Sequence, residues 1–347
     1  MSRPRLVRLA VSMGDPAGIG PEVALAALRA PAVRARVAPI LVGDLGVWRA
    51  TARRLKLRLD FDDVSAPPRV GRVAVAVSSA LPPPVCPPGL PRTRAAQRAC
   101  GAAAYAAIIA AVRLVQSGVA AGLVTAPISK AHLVAAGHDF PGHTELLAAL
   151  AGGVPVRMML AGPRLRVVLV TIHCRLRDVP GLVTRENVLE TIRITARGLR
   201  ERFGIAAPRL AVAGLNPHAG EQGLFGDEEA RAITPAVRAA RRAGLRVDGP
   251  LAADGLFAHA ADGAYDAVVC MYHDQGLGPF KLLHFADGVN VTLGLPFART
   301  SPDHGTAFDI AGRGRADPRS MIAALLMAAD TAARRPALVR RAAGAVS

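Results

Sequence analysis

The chain has 347 residues, 51% of them hydrophobic and 20% charged, which suits a globular protein with room for two ordinary domains. Its formal charge of +17 raises the question of a nucleic-acid or membrane-surface partner. Only Lys56, Lys130 and Lys281 are lysines, and the arginines are scattered, with no basic tail and no interleaved aromatics, so an Arg-rich composition accounts for the charge and neither partner is expected.

Met1-Ser-Arg-Pro-Arg leads into a short β-like run and not a signal-peptide core, which makes the cytoplasm the expected location. Strands are predicted at 6–13, 39–43, 73–77, 122–126, 157–160, 166–172, 209–214, 267–271 and 289–293. Many are continuous apolar runs, the pattern of strands covered on both faces. Helices are predicted at 21–28, 94–116, 130–136, 145–151, 185–203, 228–243 and 318–333. Thr184, Asp227 and Asp317-Pro318 supply helix starts. This alternation is that of an α/β protein with largely parallel sheets.

The Pro-rich segment 81–91 reads as an extended surface connection. The uncharged run 114–129 contains Gly118, Gly122 and Pro127 and is too short for an ordinary membrane span. Cys86, Cys100, Cys174 and Cys270 form no C-x-x-C pair and are expected as reduced thiols, with Cys174 a half-buried small residue.

Three histidines each follow an apolar run: His173 after Val-Leu-Val-Thr-Ile, His218 after Val-Ala-Gly-Leu-Asn-Pro, and His273 after Val-Val-Cys-Met-Tyr. Parallel α/β sheets bind ligands beyond the carboxyl ends of their strands, where three imidazoles can hold a divalent ion and leave positions open for chemistry. Spacings this long carry no metal signature by themselves, and three unrelated structural histidines are the plainer reading of the pattern alone. Pro141-Gly-His-Thr-Glu145 opens a helix, whose free N–H groups and dipole suit a phosphate or carboxylate, with His143 and Thr144 as added donors; a plain Thr N-cap is the alternative. Lys281, Asn290 and Arg299 flank the strand at 289–293, and the two cations suit an anionic substrate. Lys130 follows Thr-Ala-Pro-Ile-Ser in the same manner.

Both ends carry Gly-rich loops, 12–22 and 303–314, and neither is the G-x-G-x-x-G dinucleotide fingerprint. These two loops resemble those of the isocitrate and isopropylmalate dehydrogenase superfold. The motifs TAPISK, FPGHTE, LRDVP, GLNPHAGE, MYHDQG and GVNVTLGLPFARTSPDHGTA, in this order, resemble the 4-phosphohydroxythreonine dehydrogenase family.

The resemblance implies two α/β/α domains with largely parallel sheets and an interdomain cleft: 1–128 plus 277–347, and 129–276. It implies a homodimer with a shared active site, to which both partners contribute histidines. His173, His218 and His273 become ligands of one divalent cation (Zn, Mg, Co or Mn). His143, Thr144, Lys281, Asn290 and Arg299 become contacts to a small phosphorylated amino or hydroxy acid. Asp303, His304, Gly305 and Thr306 become contacts to NAD or NADP. His143, Asp254 and Lys130 are the candidates for the general base.

The implied activity is metal-dependent, NAD(P)-linked oxidation of 4-phosphooxy-L-threonine to a 3-keto acid that decarboxylates to 3-amino-2-oxopropyl phosphate, in pyridoxal 5'-phosphate biosynthesis. Gly255, where the family has Thr, and Cys174-Arg175, where it has a more apolar pair, are departures. They leave open a sister activity on D-threonate or D-erythronate 4-phosphate. The missing dinucleotide fingerprint also leaves a non-redox metal- and phosphate-binding protein as a reading.

Overall fold

The computed structural model describes residues 6–59, 61–64, 73–77 and 87–334. The N-terminal 1–5, Cys86, residues 335–347 and most of the Pro-rich connection expected at 81–91 lie outside them. In chain order the main elements are β1 (Val7–Ser12), α1 (Gly20–Ala27), α2 (Pro31–Arg36), β2 (Val37–Gly43), α3 (Leu45–Arg54), β3 (Phe61–Asp63), β4 (Val73–Val77), α4 (Arg94–Gln116), β5 (Gly122–Thr125), α5 (Lys130–Ala135) and α6 (His143–Leu150). There follow β6 (Arg157–Ala161), β7 (Arg166–Leu169), α7 (Val179–Leu182), α8 (Arg185–Phe203), β8 (Arg209–Ala213), α9 (Thr234–Arg242), β9 (Arg246–Leu251), α10 (Ala253–Ala261), β10 (Ala267–Cys270), α11 (His273–His284), β11 (Val289–Leu293), β12 (Ala298–Pro302) and α12 (Arg319–Ala333).

The chain divides into two compact units, Met1–Val154 with Leu295–Ala333, and Pro155–Gly294 with Arg334–Ser347. The expected boundaries, 128/129 and 276/277, differ from these for local reasons. Helix α5 packs on α4, which keeps 129–154 in the first unit. Strand β11 pairs antiparallel with β6, which keeps 277–294 in the second.

In the first unit the strands run β3-β4-β2-β1-β5-β12 and every pairing is parallel. Every residue of β2, β5 and β12 is buried, as a sheet covered on both faces requires. Helix α4 is long and apolar enough to cross a bilayer, yet it is a core helix. Its small side chains at Cys100, Gly101, Ala103, Ala104, Ala107 and Ala111 are buried, and it packs on α5, β1 and β2. Thr93 starts it by accepting the Ala96 N–H at 3.2 Å.

In the second unit the order is β11-β6-β7-β10-β8-β9. Strands β7, β10, β8 and β9 are parallel neighbours, whereas β6 is antiparallel to both β7 and β11. The parallel expectation therefore holds throughout the strands of the first unit and through four strands of the second unit. Leu160, Val167, Leu169, Ala211, Val268, Cys270 and Phe280 build its core. Helix α8 begins at Thr184, as expected, and ends on Gly204, whose φ of 73° is left-handed.

The helix expected at 228–243 starts with a π-helical turn, Glu229–Ile233, before α9. Helix α11 was not expected, because its Gly276, Gly278 and Pro279 are poor helix formers; buried Phe280 anchors it in the core instead. Two cysteine readings change among the described residues: Cys100 is disulfide-bonded and Cys174 is exposed.

Candidate functional site

In the second unit the three histidines leave the sheet side by side. His173 follows β7, His273 follows β10 and His218 follows β8, and the order β7-β10-β8 makes these strands neighbours. Parallel direction puts all three exits at one edge, the edge where such sheets bind ligands. Pairing continues past the strand ends: the Val170 N–H donates to the Cys270 carbonyl at 2.9 Å and the Thr171 N–H to that of Met271 at 3.2 Å. This brings the rings of His173 and His273 to 5.8 Å between centroids. Asp274 Oδ1 lies 2.7 Å from Nδ1 of His273. A carboxylate on one ring nitrogen is the arrangement that orients an imidazole to offer the other nitrogen to a metal.

His218 is reached differently. His218, Ala219, Gly220, Glu221 and Gln222 all have φ between 43° and 84°, a left-handed turn in which only Gly220 is at ease. Glu229 holds its base. The Oε1 atom accepts the N–H groups of Leu215 at 2.7 Å and Asn216 at 2.8 Å, and Oε2 accepts Asn216 Nδ2 at 2.9 Å. Asn216 also donates to Glu228, which holds that carboxyl below its usual range. The His218 ring lies 6.3 Å from Phe225, and both residues are exposed. Among the described residues of this one chain, no three His, Cys, Asp or Glu side chains gather as a metal site. One chain therefore brings His173 and His273 together and presents His218 outward.

Elsewhere in this unit, Asp254 is exposed in the first turn of α10, its Oδ1 accepting the Gly255 N–H at 2.9 Å. Lys281 lies in the last turn of α11 with Nζ 5.5 Å from the Phe285 ring centre. Asn290, in β11, is half-buried, and its Oδ1 is shielded with no hydrogen-bond partner.

The first unit assembles His143, Thr144, Lys130 and Arg299. Gly142, not Thr144, caps α6, so the ring of His143 and the buried side chain of Thr144 sit at the first helical positions. Arg299, on β12, is only 2% exposed and donates through Nη2 to Thr125 Oγ1 at 2.6 Å. Burial pushes its guanidinium down to about 9, against the attraction of Glu145, and it stays cationic at neutral pH. Burial, followed by the charge of Arg299, holds His143 well below the usual 6.5, so its ring is neutral at that pH. Its Nε2 is shielded and unpartnered. A Cβ added to Gly142 would lie 3.4 Å from Glu145 Oε2 and 3.7 Å from Lys130 Cε, which places the Lys130 stem across the start of α6.

The two Gly-rich loops also meet in this unit. The Ile19 N–H donates to the Thr306 carbonyl at 2.9 Å, and the Gly312 N–H to Glu22 Oε2 at 2.9 Å. A Cβ on Gly18 would come to 3.0 Å from Thr306 O, so the two loops approach closely here. Asp303 donates its N–H to Ser320 Oγ at 3.0 Å, and His304 Nδ1 lies 3.0 Å from the Gly305 carbonyl.

Sequence reading passed over Thr125, Glu229, Gln275 and the pair Asp15 and His132. Gln275 donates through Nε2 to the Gly214 carbonyl at 2.6 Å and accepts the Met271 N–H at 2.7 Å. Nothing in local sequence marks such side chains, because each has at least one partner on another loop or strand.

The model of the pyridoxal phosphate biosynthetic protein PdxA family matches residues 35–328. A relative from Geobacter metallireducens named 4-hydroxythreonine-4-phosphate dehydrogenase is 54% identical over 335 residues, spanning 95% of this chain and 96% of its own. The solved 4-hydroxythreonine-4-phosphate dehydrogenase from Klebsiella pneumoniae is 41% identical with a TM-score of 0.84, covering 94% of this chain and 99% of that one. A β-decarboxylating dehydrogenase from Thermococcus kodakarensis, 16% identical with a TM-score of 0.50 over 97% of this chain and 87% of its own, shares the fold alone. With a family model over most of its length and a relative identical at half its positions, this α/β chain belongs to the PdxA family of pyridoxal phosphate biosynthetic proteins.

Proposed function

We propose that this protein oxidises the secondary alcohol of 4-phosphooxy-L-threonine with NAD or NADP, giving a 3-keto acid that loses carbon dioxide to yield 3-amino-2-oxopropyl phosphate. The observation that carries the reading is the pair His173 and His273, 5.8 Å apart at the carboxyl ends of adjacent parallel strands. Two imidazoles at that separation, one oriented by Asp274, fit a shared divalent cation such as Zn, Co, Mn or Mg. A bound cation would lower the pKa of the substrate alcohol and stabilise negative charge on its oxygen.

The third ligand is His218 of a second copy. Two observations support a homodimer with a shared site: His218 is exposed and joins no group with the other two histidines among the described residues, and exposed Leu176, Leu224, Phe225, Leu282 and Phe285 flank the loops and helix that carry the site. Apolar side chains grouped around polar site residues are the usual signature of a buried partner face.

The chain's own residues divide the remaining work. Arg299 and the N–H groups at the start of α6 hold the phosphate, with Thr144, Lys281 and Asn290 as further substrate contacts. His143 would take the hydroxyl proton, and a bound nicotinamide would supply the acceptor for the hydride of the same carbon. The His143 ring is buried and unprotonated, whereas Asp254 is exposed with its carboxylate turned to its own helix and Lys130 is exposed. Asp303, His304, Gly305 and Thr306 contact the dinucleotide. The reaction takes place in the cytoplasm.

The test is a panel of phosphorylated hydroxy acids, including D-threonate and D-erythronate 4-phosphate, assayed with NAD and NADP, with and without chelator. Nicotinamide reduction with 4-phosphooxy-L-threonine, abolished by chelator and by His218→Ala, is expected. Preference for another acid in the panel would reassign the substrate. Full activity in metal-free buffer would sink the three-histidine reading, and no reduction with any substrate would favour a non-redox binding protein.

A further inference from the structure

The loops that bear the three histidines share one hydrogen-bonded hub, and the sequence motif around it gave no sign of this. The hub is Met271, two residues before His273. Its N–H donates to Gln275 Oε1 at 2.7 Å. Its carbonyl accepts both the N–H of Thr171 at 3.2 Å and the Thr171 hydroxyl at 2.7 Å. Thr171 stands two residues before His173. The other end of Gln275 donates to the Gly214 carbonyl at 2.6 Å, where the chain leaves β8 for His218. Gln275, Thr171 and Met271 are all buried, so none of these bonds competes with water. A Cβ on Gly276 would meet Cys270 Sγ and Leu169 Cδ2 at 3.1 Å, so the turn that sets Gln275 in place is itself packed against the sheet.

We propose that Gln275 is a positioning residue for the metal site: it fixes Met271, and with it the His173–His273 pair, to the end of β8, from which the same chain's His218 loop reaches toward the second copy. This rests on the metal reading above. A glutamine suits the role because it donates and accepts at once, matching one carbonyl and one N–H that would otherwise be buried unpaired. Neither leucine nor glutamate can serve both. Groups that hydrogen-bond metal ligands govern affinity by about 10–100-fold, and Gln275, which bonds the backbone that carries the ligands, is expected within that range.

The test uses the full-length protein loaded with Co²⁺, read by its visible absorption band and by chelator competition. The wild type should bind cobalt. Gln275→Met should keep the circular dichroism spectrum, weaken cobalt binding by about 10–100-fold and shift the band. Thr171→Val, which removes one bond of the hub, should shift it in the same sense by less. Thr195→Val is the control. It removes a buried hydroxyl bond within α8, Thr195 Oγ1 to the Thr191 carbonyl at 2.7 Å, and should leave the cobalt spectrum unchanged. A wild type that binds no cobalt overturns the metal reading and this proposal with it. A normal wild type with unchanged Gln275→Met and Thr171→Val spectra overturns the positioning role alone, as does an equal change in Thr195→Val.

Discussion

The Nδ1 atom of His132 lies 2.6 Å from Oδ2 of Asp15, with 3% and 0% of the two side chains exposed. The pair ties the loop after β1 to the start of α5, and the backbone reinforces it: the Asp15 N–H donates to the Pro127 carbonyl at 2.9 Å. Asp15 also caps its own turn through Oδ1 and the Ala17 N–H at 3.0 Å. Burial raises its carboxyl above the usual 3.8 even though His132 pulls it down. The loop before Lys130 and the Gly-rich loop that meets Thr306 are therefore fixed to each other.

Removing one member of this pair should be costly, because the other is left buried without its partner. His132→Ala is expected to lose about 3–5 kcal/mol in urea denaturation. The double variant Asp15→Ala/His132→Ala should lose less than the sum of the single losses; strict additivity would show that the pair is not coupled.

Thr125→Val tests the support of Arg299. The variant keeps the shape of the β5 end but removes the acceptor 2.6 Å from the guanidinium. A buried cation short of one acceptor should cost about 1–3 kcal/mol. If Arg299 holds the phosphate, KM should rise more than kcat falls, and an unchanged KM would argue against that role.

His143 sets a pH dependence of stability. Its folded pKa lies well below 6.5, its ordinary value in the unfolded chain, because burial and then Arg299 disfavour the charged ring. Between the two values the unfolded state binds more protons, so this contribution is intact above about pH 6.5 and is lost as pH falls through the folded pKa. His143→Gln should flatten the decline of the urea midpoint over that window. An identical decline in both proteins would assign it to other groups.

Gly101→Ala probes the packing of α4 on α5. The added Cβ would stand 1.9 Å from the His132 carbonyl oxygen, which is backbone and cannot rotate away. The helices must separate, at a cost of at least about 1–3 kcal/mol. Gly118→Ala, where a Cβ meets nothing within 4 Å but φ is 77°, should cost about 1 kcal/mol from backbone strain alone. Equal midpoints for the two variants would contradict close helix packing.

Much of this fold was legible because burial writes itself into local sequence. The fully apolar runs of β2 and β5 predict strands covered on both faces, and Thr184 with its following amphipathic segment predicts α8 and its start. Helix α11 was not legible, since its glycines and proline oppose a helix that buried Phe280 stabilises. The antiparallel turn of β6 was not legible either, because an apolar run carries no direction.

By itself the sequence determined that His173, His218 and His273 stand just beyond strands and that His143 opens a helix, since strand ends and helix starts are local patterns. Only the tertiary structure decided which of them meet. Strand order placed β7 beside β10, which joined His173 to His273, and a left-handed turn braced by Glu229 carried His218 outward. The pairing of Asp15 with His132, 117 residues apart, has the same origin. Such contacts depend on how strands order and loops close in three dimensions, and no local pattern of residues encodes that.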